Sequence, residues 1–177
     1  MQEPGHLLTT PRLRLRPVTE ADAEAIVTAI NDYEVVRWLS RAPFPYTRAD
    51  ALAFIAKNTE NAGQVWMIED ASGLVGCIGR KREFGYWLAH SAWGQGYGTE
   101  AGRAVLDWHF ADPEAPGLLS GYHEGNGRSA HVLEKLGFVP CADRKIHALA
   151  LDCDVTIKGM WMDRAEYDRA ICGGRHD

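Results

Sequence analysis

With 177 residues, 46% of them apolar and 24% charged, the chain can bury one full core, is too short for two ordinary domains, and has the balance of an ordered globular protein. Its 24 acidic and 19 basic residues leave a net charge of −5 with no Lys/Arg block, which argues against a nucleic-acid groove and gives a cationic substrate such as an amine a mildly favourable field. Met1 to Thr10 has neither a basic start nor an apolar run, and no apolar segment approaches the roughly 18 residues that span a bilayer, so the expectation is a soluble, cytoplasmic protein with no membrane partner.

Leu13 and Leu15 alternate with arginines up to Pro17, which predicts a first strand at a sheet edge. Thr19 followed by Asp22 has the form of a capping box with Asp in the place of Glu or Gln, and Ala23, Ile26, Val27 and Ile30 form one helical stripe, predicting a helix from about 20 to 31. Tyr33 to Leu39 can add a turn or two of helix before Pro43 and Pro45. Thr47 and Asp50 repeat the capping signal ahead of a second stripe, Ala49, Leu52, Ala53 and Ala56. The proline- and aromatic-rich segment from Trp38 to Tyr46 is read either as a wall of a substrate pocket or as a surface connection.

Short strands are predicted over Val65 to Ile68, Leu74 to Ile78 and Phe84 to Leu88, joined by tight turns into an antiparallel meander. The last of them runs into glycines at 94, 96 and 98, where the hydrophobic period changes from 2 to 3.6: Ala101, Ala104, Val105 and Trp108 share one helical face up to Phe110. A helix start carries N–H groups without intrahelical partners and the positive end of the macrodipole, and glycines let an anion approach them; this is what a pyrophosphate needs. Glu100 with Arg103 and Arg103 with Asp107 read as exposed ion pairs along that helix.

After Asp112 to Gly117, Leu118 to Tyr122 makes a short strand, and strand–helix–strand order implies a parallel pair within an otherwise antiparallel sheet. Asn126 can cap a helix whose Ser129, Val132, Leu133 and Leu136 share a face and which Gly137 closes. Phe138, Val139, Val155, Ile157, Met160 and Met162 supply the final strands, followed by a polar tail after Tyr167. Cys77, Cys141, Cys153 and Cys172 lie far apart, which predicts free thiols, and His147 with Cys153 lacks the second paired spacing of a metal site. One α+β domain over residues 1–177 is expected.

Trp93-Gly-Gln-Gly-Tyr-Gly-Thr-Glu-Ala101 together with Asn126-Gly-Arg-Ser-Ala-His-Val-Leu-Glu-Lys-Leu-Gly-Phe138 resembles the GNAT acetyltransferases, and within them the RimJ/RimL type that acetylates the N-termini of ribosomal proteins. The similarity extends from Thr10-Pro-Arg-Leu-Arg-Leu-Arg-Pro17 through Glu83-Phe-Gly-Tyr-Trp-Leu88 to Phe138, in order. It implies a mixed, mostly antiparallel sheet with flanking helices, whose fourth strand (Phe84 to Ala89) and fifth (Leu118 to Tyr122) splay apart around acetyl-CoA. Backbone groups of Trp87, Leu88 and Ala89 would pair with the pantetheine arm, the amides of Gln95, Gly96, Tyr97, Gly98 and Thr99 would hold the pyrophosphate, and Asn126 would contact pantetheine besides capping its helix. Two departures stand out: Trp93 occupies the place of the usual Gln or Arg, and Leu133 that of the tyrosine which in many relatives protonates the leaving thiolate.

Acetyl transfer to an amine needs a neutral amine, a polarised carbonyl and a proton for the thiolate. On the resemblance, Glu83 is the candidate base, acting directly or through water; the alternative is a surface carboxylate paired with Arg80 or Arg82. His123 and Glu124 follow the fifth strand at the same cleft mouth and are read as a solvated loop pair or as a second source of base. Ser129, on the inward face of its helix, is the candidate acid, its alternative being a plain first-turn serine. No cysteine is placed as a nucleophile, so direct transfer in a ternary complex is expected, with no metal. The acceptor is a primary amine, a protein N-terminus or a small molecule, and the enzyme a monomer or homodimer. A non-catalytic acyl-CoA-binding module of the same fold is the competing expectation, kept open by Leu133; a dinucleotide-binding domain is disfavoured because no βαβ unit with an acidic residue about 20 positions on follows the glycines.

Overall fold

The computed structural model describes residues 6–59, 64–81 and 83–173. Two antiparallel sheets form the middle layer. Strands β1 (Leu8–Thr9) and β2 (Arg14–Pro17) begin the first sheet. Helices α1 (Ala23–Ile30), α2 (Tyr33–Val36) and α3 (Arg48–Thr59) follow, and β3 (Val65–Asp70), β4 (Gly73–Gly79) and β5 (Gly85–Leu88) complete the sheet in the order β1-β2-β3-β4-β5. Helix α4 (Tyr97–Phe110) crosses to β6 (Leu118–His123), and α5 (Gly127–Leu136) leads into β7 (Val139–Pro140), β8 (Arg144–Ala148), β9 (Cys153–Met162) and α6 (Arg164–Gly173). β9 is the spine of the second sheet, pairing with β6, β7 and β8.

The capping signals form as expected. The Thr19 N–H donates to Asp22 at 2.7 Å and the Thr47 N–H to Asp50 at 2.8 Å, while Gly137 closes α5 at φ +97. The first of these helices opens with a 3-10 turn, Glu20–Asp22. Asp22 also anchors the layer above it, taking a two-pronged contact from Arg16 (2.9 and 2.6 Å), which reaches Glu69 as well. Burial pushes the Asp22 carboxyl up, but Arg16 and the Thr19 N–H outweigh it and hold the group below the usual carboxylate range.

Two cores lie on opposite sides of the sheets. On one side Ala23, Ile26, Ile30, Val36, Ala51 and Ile55 of α1 to α3 pack on Met67 and Cys77. On the other, Ala101, Val105, Leu106, Leu133, Leu136 and Tyr167 of α4 to α6 pack on Trp66, Phe84, Leu118, Met160 and Met162. Because successive strand residues face opposite ways, Phe84, Tyr86 and Leu88 turn toward α4 and α5 while Glu83, Gly85 and Trp87 turn toward α1 to α3; on β6 the same alternation divides Leu118, Ser120 and Tyr122 from Leu119, Gly121 and His123.

The parallel pair expected between β5 and β6 does not form a ladder. The strands touch where the Phe84 N–H donates to the Leu119 carbonyl (2.8 Å) and the buried Ser120 hydroxyl to the Phe84 carbonyl (2.8 Å), and they belong to different sheets. The result is the splayed central cleft that the resemblance implies. Three elements were not expected. β1 pairs outside β2, so the strand expected at the sheet edge is covered by a short one before it. β8 carries only Ile146 and Ala148 as apolar residues and is a strand because β9 pairs with it, and α6 lies where a polar tail was read, docked by Tyr167, whose hydroxyl donates to Asp107 at 2.8 Å.

Candidate active site

On the α4–α5 side, β5 feeds the glycine turn that starts α4. The Ala89 N–H donates to Val75 (2.8 Å), its carbonyl accepts from Ala92 (2.9 Å), and the Leu88 carbonyl accepts the Trp93 indole N–H (3.0 Å). Alternation along the strand therefore turns Trp87 and Ala89 toward β4 and leaves the Leu88 N–H as the group aimed across the open edge, which narrows the three-residue backbone contact expected for pantetheine to Leu88. Gly94 and Gly96 sit at φ +76 and +79, a conformation that costs a residue with a Cβ about 1–2 kcal/mol. Gly96 caps α4 and no side chain satisfies the free amides that follow. Gly98 is helical, and its need is for space: a Cβ there would come within 3.2 Å of the Tyr86 ring.

The turn is held by side-chain contacts that the sequence pattern did not predict. Arg12 donates to the Gln95 carbonyl at 2.9 Å, lies 4.8 Å above the Tyr97 ring and pairs with Glu100 at 2.5 Å, while the Tyr97 hydroxyl donates to Asp70 at 3.1 Å. Glu100 therefore does not pair along its helix with Arg103, as expected, but ties α4 to the stretch before β2; Thr10 donates to it as well. Nor does Arg103 pair with Asp107, which accepts from Tyr167; Arg103 instead reaches the Lys135 carbonyl at 3.4 Å. Helix α5 supplies the opposite wall. Asn126 caps it by accepting from the Ser129 N–H (3.2 Å), Arg128 stacks 4.3 Å over Trp93, and burial pushes the Tyr86 phenol up, an effect the nearby Ser129 hydroxyl partly offsets. Leu133 is 1% exposed and belongs to the core.

The α1–α3 side carries the basic groups. Glu83 pairs at 2.5 Å with Arg144 of β8, a partner not proposed from the sequence; of the two arginines proposed, Arg80 stacks over Trp108 at 4.5 Å and Arg82 lies outside the described residues. A Cβ on Gly121 would lie 3.5 Å from the same guanidinium, and closer still to Ile157 (2.6 Å) and the Lys158 carbonyl (2.8 Å), so Arg144 reaches from Glu83 to β6 beside Gly121. Two residues further along β6, and on the same face, His123 is 5% exposed, with Nε2 2.9 Å from the Ser40 hydroxyl and its ring edge-on to Trp38 at 6.1 Å. It is therefore not a solvated loop residue. Burial lowers its pKa and keeps the imidazole neutral.

A cavity of about 330 Å³ opens above His123, walled by Arg37 and Trp38 after α2, by Glu124, and by Leu151, Asp154 and Thr156 of the β8–β9 hairpin. The Leu149 N–H donates to the Ser40 carbonyl (3.1 Å), so the loop from Trp38 and the turn between β8 and β9 are bonded to one another. All four cysteines are free, and burial pushes the Cys77 thiol up to about 12, which removes it as a thiolate nucleophile. Among the described residues no cluster of His, Cys, Asp or Glu could hold a metal ion, and no helix is long and apolar enough to cross a membrane.

Two antiparallel sheets that part between β5 and β6, flanked by helices on both faces, make a GNAT fold, and residues 12–139 match the family model described as an acetyltransferase (GNAT) domain. The chain belongs to the GNAT family and is an N-acetyltransferase. It is 29% identical over 145 residues to the uncharacterised N-acetyltransferase YoaA of Bacillus subtilis (strain 168), covering 75% of this chain and 82% of that one. In fold it is similar to spermidine N-acetyltransferase from Vibrio cholerae, solved with CoA and spermine (TM-score 0.73, 18% identity, 89% of this chain and 99% of that one). It is likewise similar to the ribosomal-protein-S5-alanine acetyltransferase of Vibrio fischeri (TM-score 0.69, 18% identity, 87% and 95%).

Proposed function

We propose that the protein moves an acetyl group from acetyl-CoA to a primary amine by direct transfer in a ternary complex, with the coenzyme entering from the α4–α5 side and the amine from the α1–α3 side. The observation that carries this is that uncapped amides at the start of α4 and the Ser129 hydroxyl lie on one face, and Glu83 and the buried His123 on the other. The amides from Gln95 to Thr99 would bind the pyrophosphate, Leu88 would bond the pantetheine arm, and Asn126 would border it.

In that frame Ser129, backed by Tyr86, protonates the departing thiolate, taking the part that Leu133 cannot. Glu83, with one oxygen fixed by Arg144, keeps the other for an N–H of the amine, directly or through water. A protein N-terminus, the acceptor of the RimJ/RimL type, suits this equipment well, because an α-amine with a reference pKa of about 7.7–8.0 is partly neutral near pH 7 whereas a lysine amine, at about 10.4, is not. The spermidine and S5-alanine enzymes of similar fold bracket the range of acceptors to be tested.

The test is thiol release from acetyl-CoA against peptides with varied N-terminal residues and against small amines including spermidine. Turnover on one class, falling about 10- to 100-fold in Glu83→Gln and in Ser129→Ala with acetyl-CoA affinity unchanged, is expected. Tight acetyl-CoA binding without turnover on any amine would instead mark an acyl-CoA-binding module, and absence of coenzyme binding would overturn the proposal.

A further inference from the structure

Building on acetyl transfer to an amine, we infer that His123 is the catalytic proton acceptor, its Nδ1 taking the proton of the attacking amine while Nε2–H donates to the Ser40 hydroxyl. Three observations lead there. Glu83 already has one oxygen bound by Arg144 at 2.5 Å, which suits it to aim an N–H rather than to carry a proton away. His123 stands on the same face of β6 two strand residues, or about 7 Å, beyond Gly121, whose own face is taken up by Ile157 and the Lys158 carbonyl, so the amine would meet the ring from the cavity above it. Its Nε2 is engaged by Ser40, while Nδ1 has no hydrogen-bond partner among the described residues and the ring forms part of the wall of the cavity.

The charged groups around the imidazole leave it free to act. Arg37 faces the cavity from α2, Glu124 from the end of β6 and Asp154 from β9. Glu124 is paired with Lys158 (3.4 Å) and Asp154 with His147 (3.3 Å), so neither carboxylate is spent on His123. Ser40 is itself pinned by Leu149, which fixes the ring from behind much as a second group orients a catalytic histidine.

The step balances as follows. The amine lone pair forms the C–N bond at the thioester carbonyl, whose π electrons move to oxygen; His123 takes one N–H proton and becomes imidazolium. Collapse re-forms the carbonyl and breaks the C–S bond, the thiolate takes a proton from Ser129, and the imidazolium returns its proton to solvent while the serine regains one. The base must be neutral, so kcat falls as pH drops through the pKa of His123, which lies below the ordinary 6.5 because the ring is buried. This limb is separate from that of the amine.

The experiment uses the full chain and whichever of an alanine-leading tetrapeptide or spermidine is turned over faster. For His123→Gln we expect kcat at least 10-fold lower, acetyl-CoA dissociation constant within twofold of wild type, and no acidic limb in kcat against pH. In the wild type, ¹⁵N NMR should show His123 as the Nε2–H tautomer, titrating at the midpoint of the kinetic limb. An unchanged kcat, a persisting limb, or a loss confined to KM overturns the inference and leaves His123 a wall of the pocket. Should the variant fail to bind coenzyme, the wild-type midpoints decide: disagreement between NMR and kinetics overturns it. A wild type that turns over neither amine overturns the transfer proposal itself.

Discussion

The two faces of the cleft are built in opposite ways. The α4–α5 face, proposed above for the coenzyme, is assembled from Leu88 to Thr99 and Asn126 to Ser129, two short contiguous runs whose proposed binding groups are largely backbone amides. The α1–α3 face is assembled from Ser40, Glu83, His123, Arg144 and Leu149, spread over more than half the chain and working through side chains. A face made of backbone tolerates sequence change as long as its turn persists. A face made of side chains can change its substrate by exchanging one loop, which fits one coenzyme used with many acceptors.

The sharpest way to break the comparison is Gly96→Val. At φ +79 a β-branched residue must shift the turn and misaim amides that hold a charged group, so acetyl-CoA affinity should fall by about 4 kcal/mol, roughly a thousandfold, by calorimetry. S-acetylpantetheine, which has no pyrophosphate, should bind the variant and the wild type alike. Normal coenzyme binding by the variant would remove the anion site from this turn.

Next in size is Asp22→Asn, which leaves Arg16 without its buried partner and loosens α1 from the sheet. Urea unfolding at pH 7 should show a loss of about 3 kcal/mol, with acetyl-CoA affinity unaffected because the damage lies on the other face. The sign with pH follows from the depressed carboxyl: the wild-type advantage is complete above about pH 4, the unfolded value, and disappears as pH falls through the lower folded value. A difference that grew on acidification would contradict the assigned pair.

The smallest effect is expected for Trp38→Ala, which removes a wall of the cavity over His123 without touching the coenzyme face. KM for the amine should rise about 10-fold, or about 1.4 kcal/mol, with the acetyl-CoA dissociation constant unchanged. A matching loss of coenzyme affinity would show that the two faces are not independent.

Local signals were legible and long-range partners were not. The pairs Thr19/Asp22 and Thr47/Asp50, the glycines before Tyr97, and the Asn126 and Gly137 ends of α5 each act within a few residues, and each formed its cap or turn. β8 escaped notice because its sequence, Arg144 to Ala148, alternates only weakly and becomes a strand by pairing with β9. α6 escaped because Tyr167 is its one buried residue. Glu100 was assigned to neighbours on its own helix and instead bonds Arg12, 88 residues away in sequence.

By itself the sequence determined most of the elements and the strand–turn–helix with its glycine turn, because hydrophobic period, glycine conformation and capping act over a single turn; that Glu83, His123 and Ser129 border a common cleft came from the family resemblance. Only the tertiary structure decided that β5 and β6 part instead of pairing, that Arg144 holds Glu83, and that Ser40 and Trp38 bury His123 under a cavity. The reason is physical: a charged or polar side chain can satisfy its bonds with many partners, and which one it meets depends on how distant segments pack.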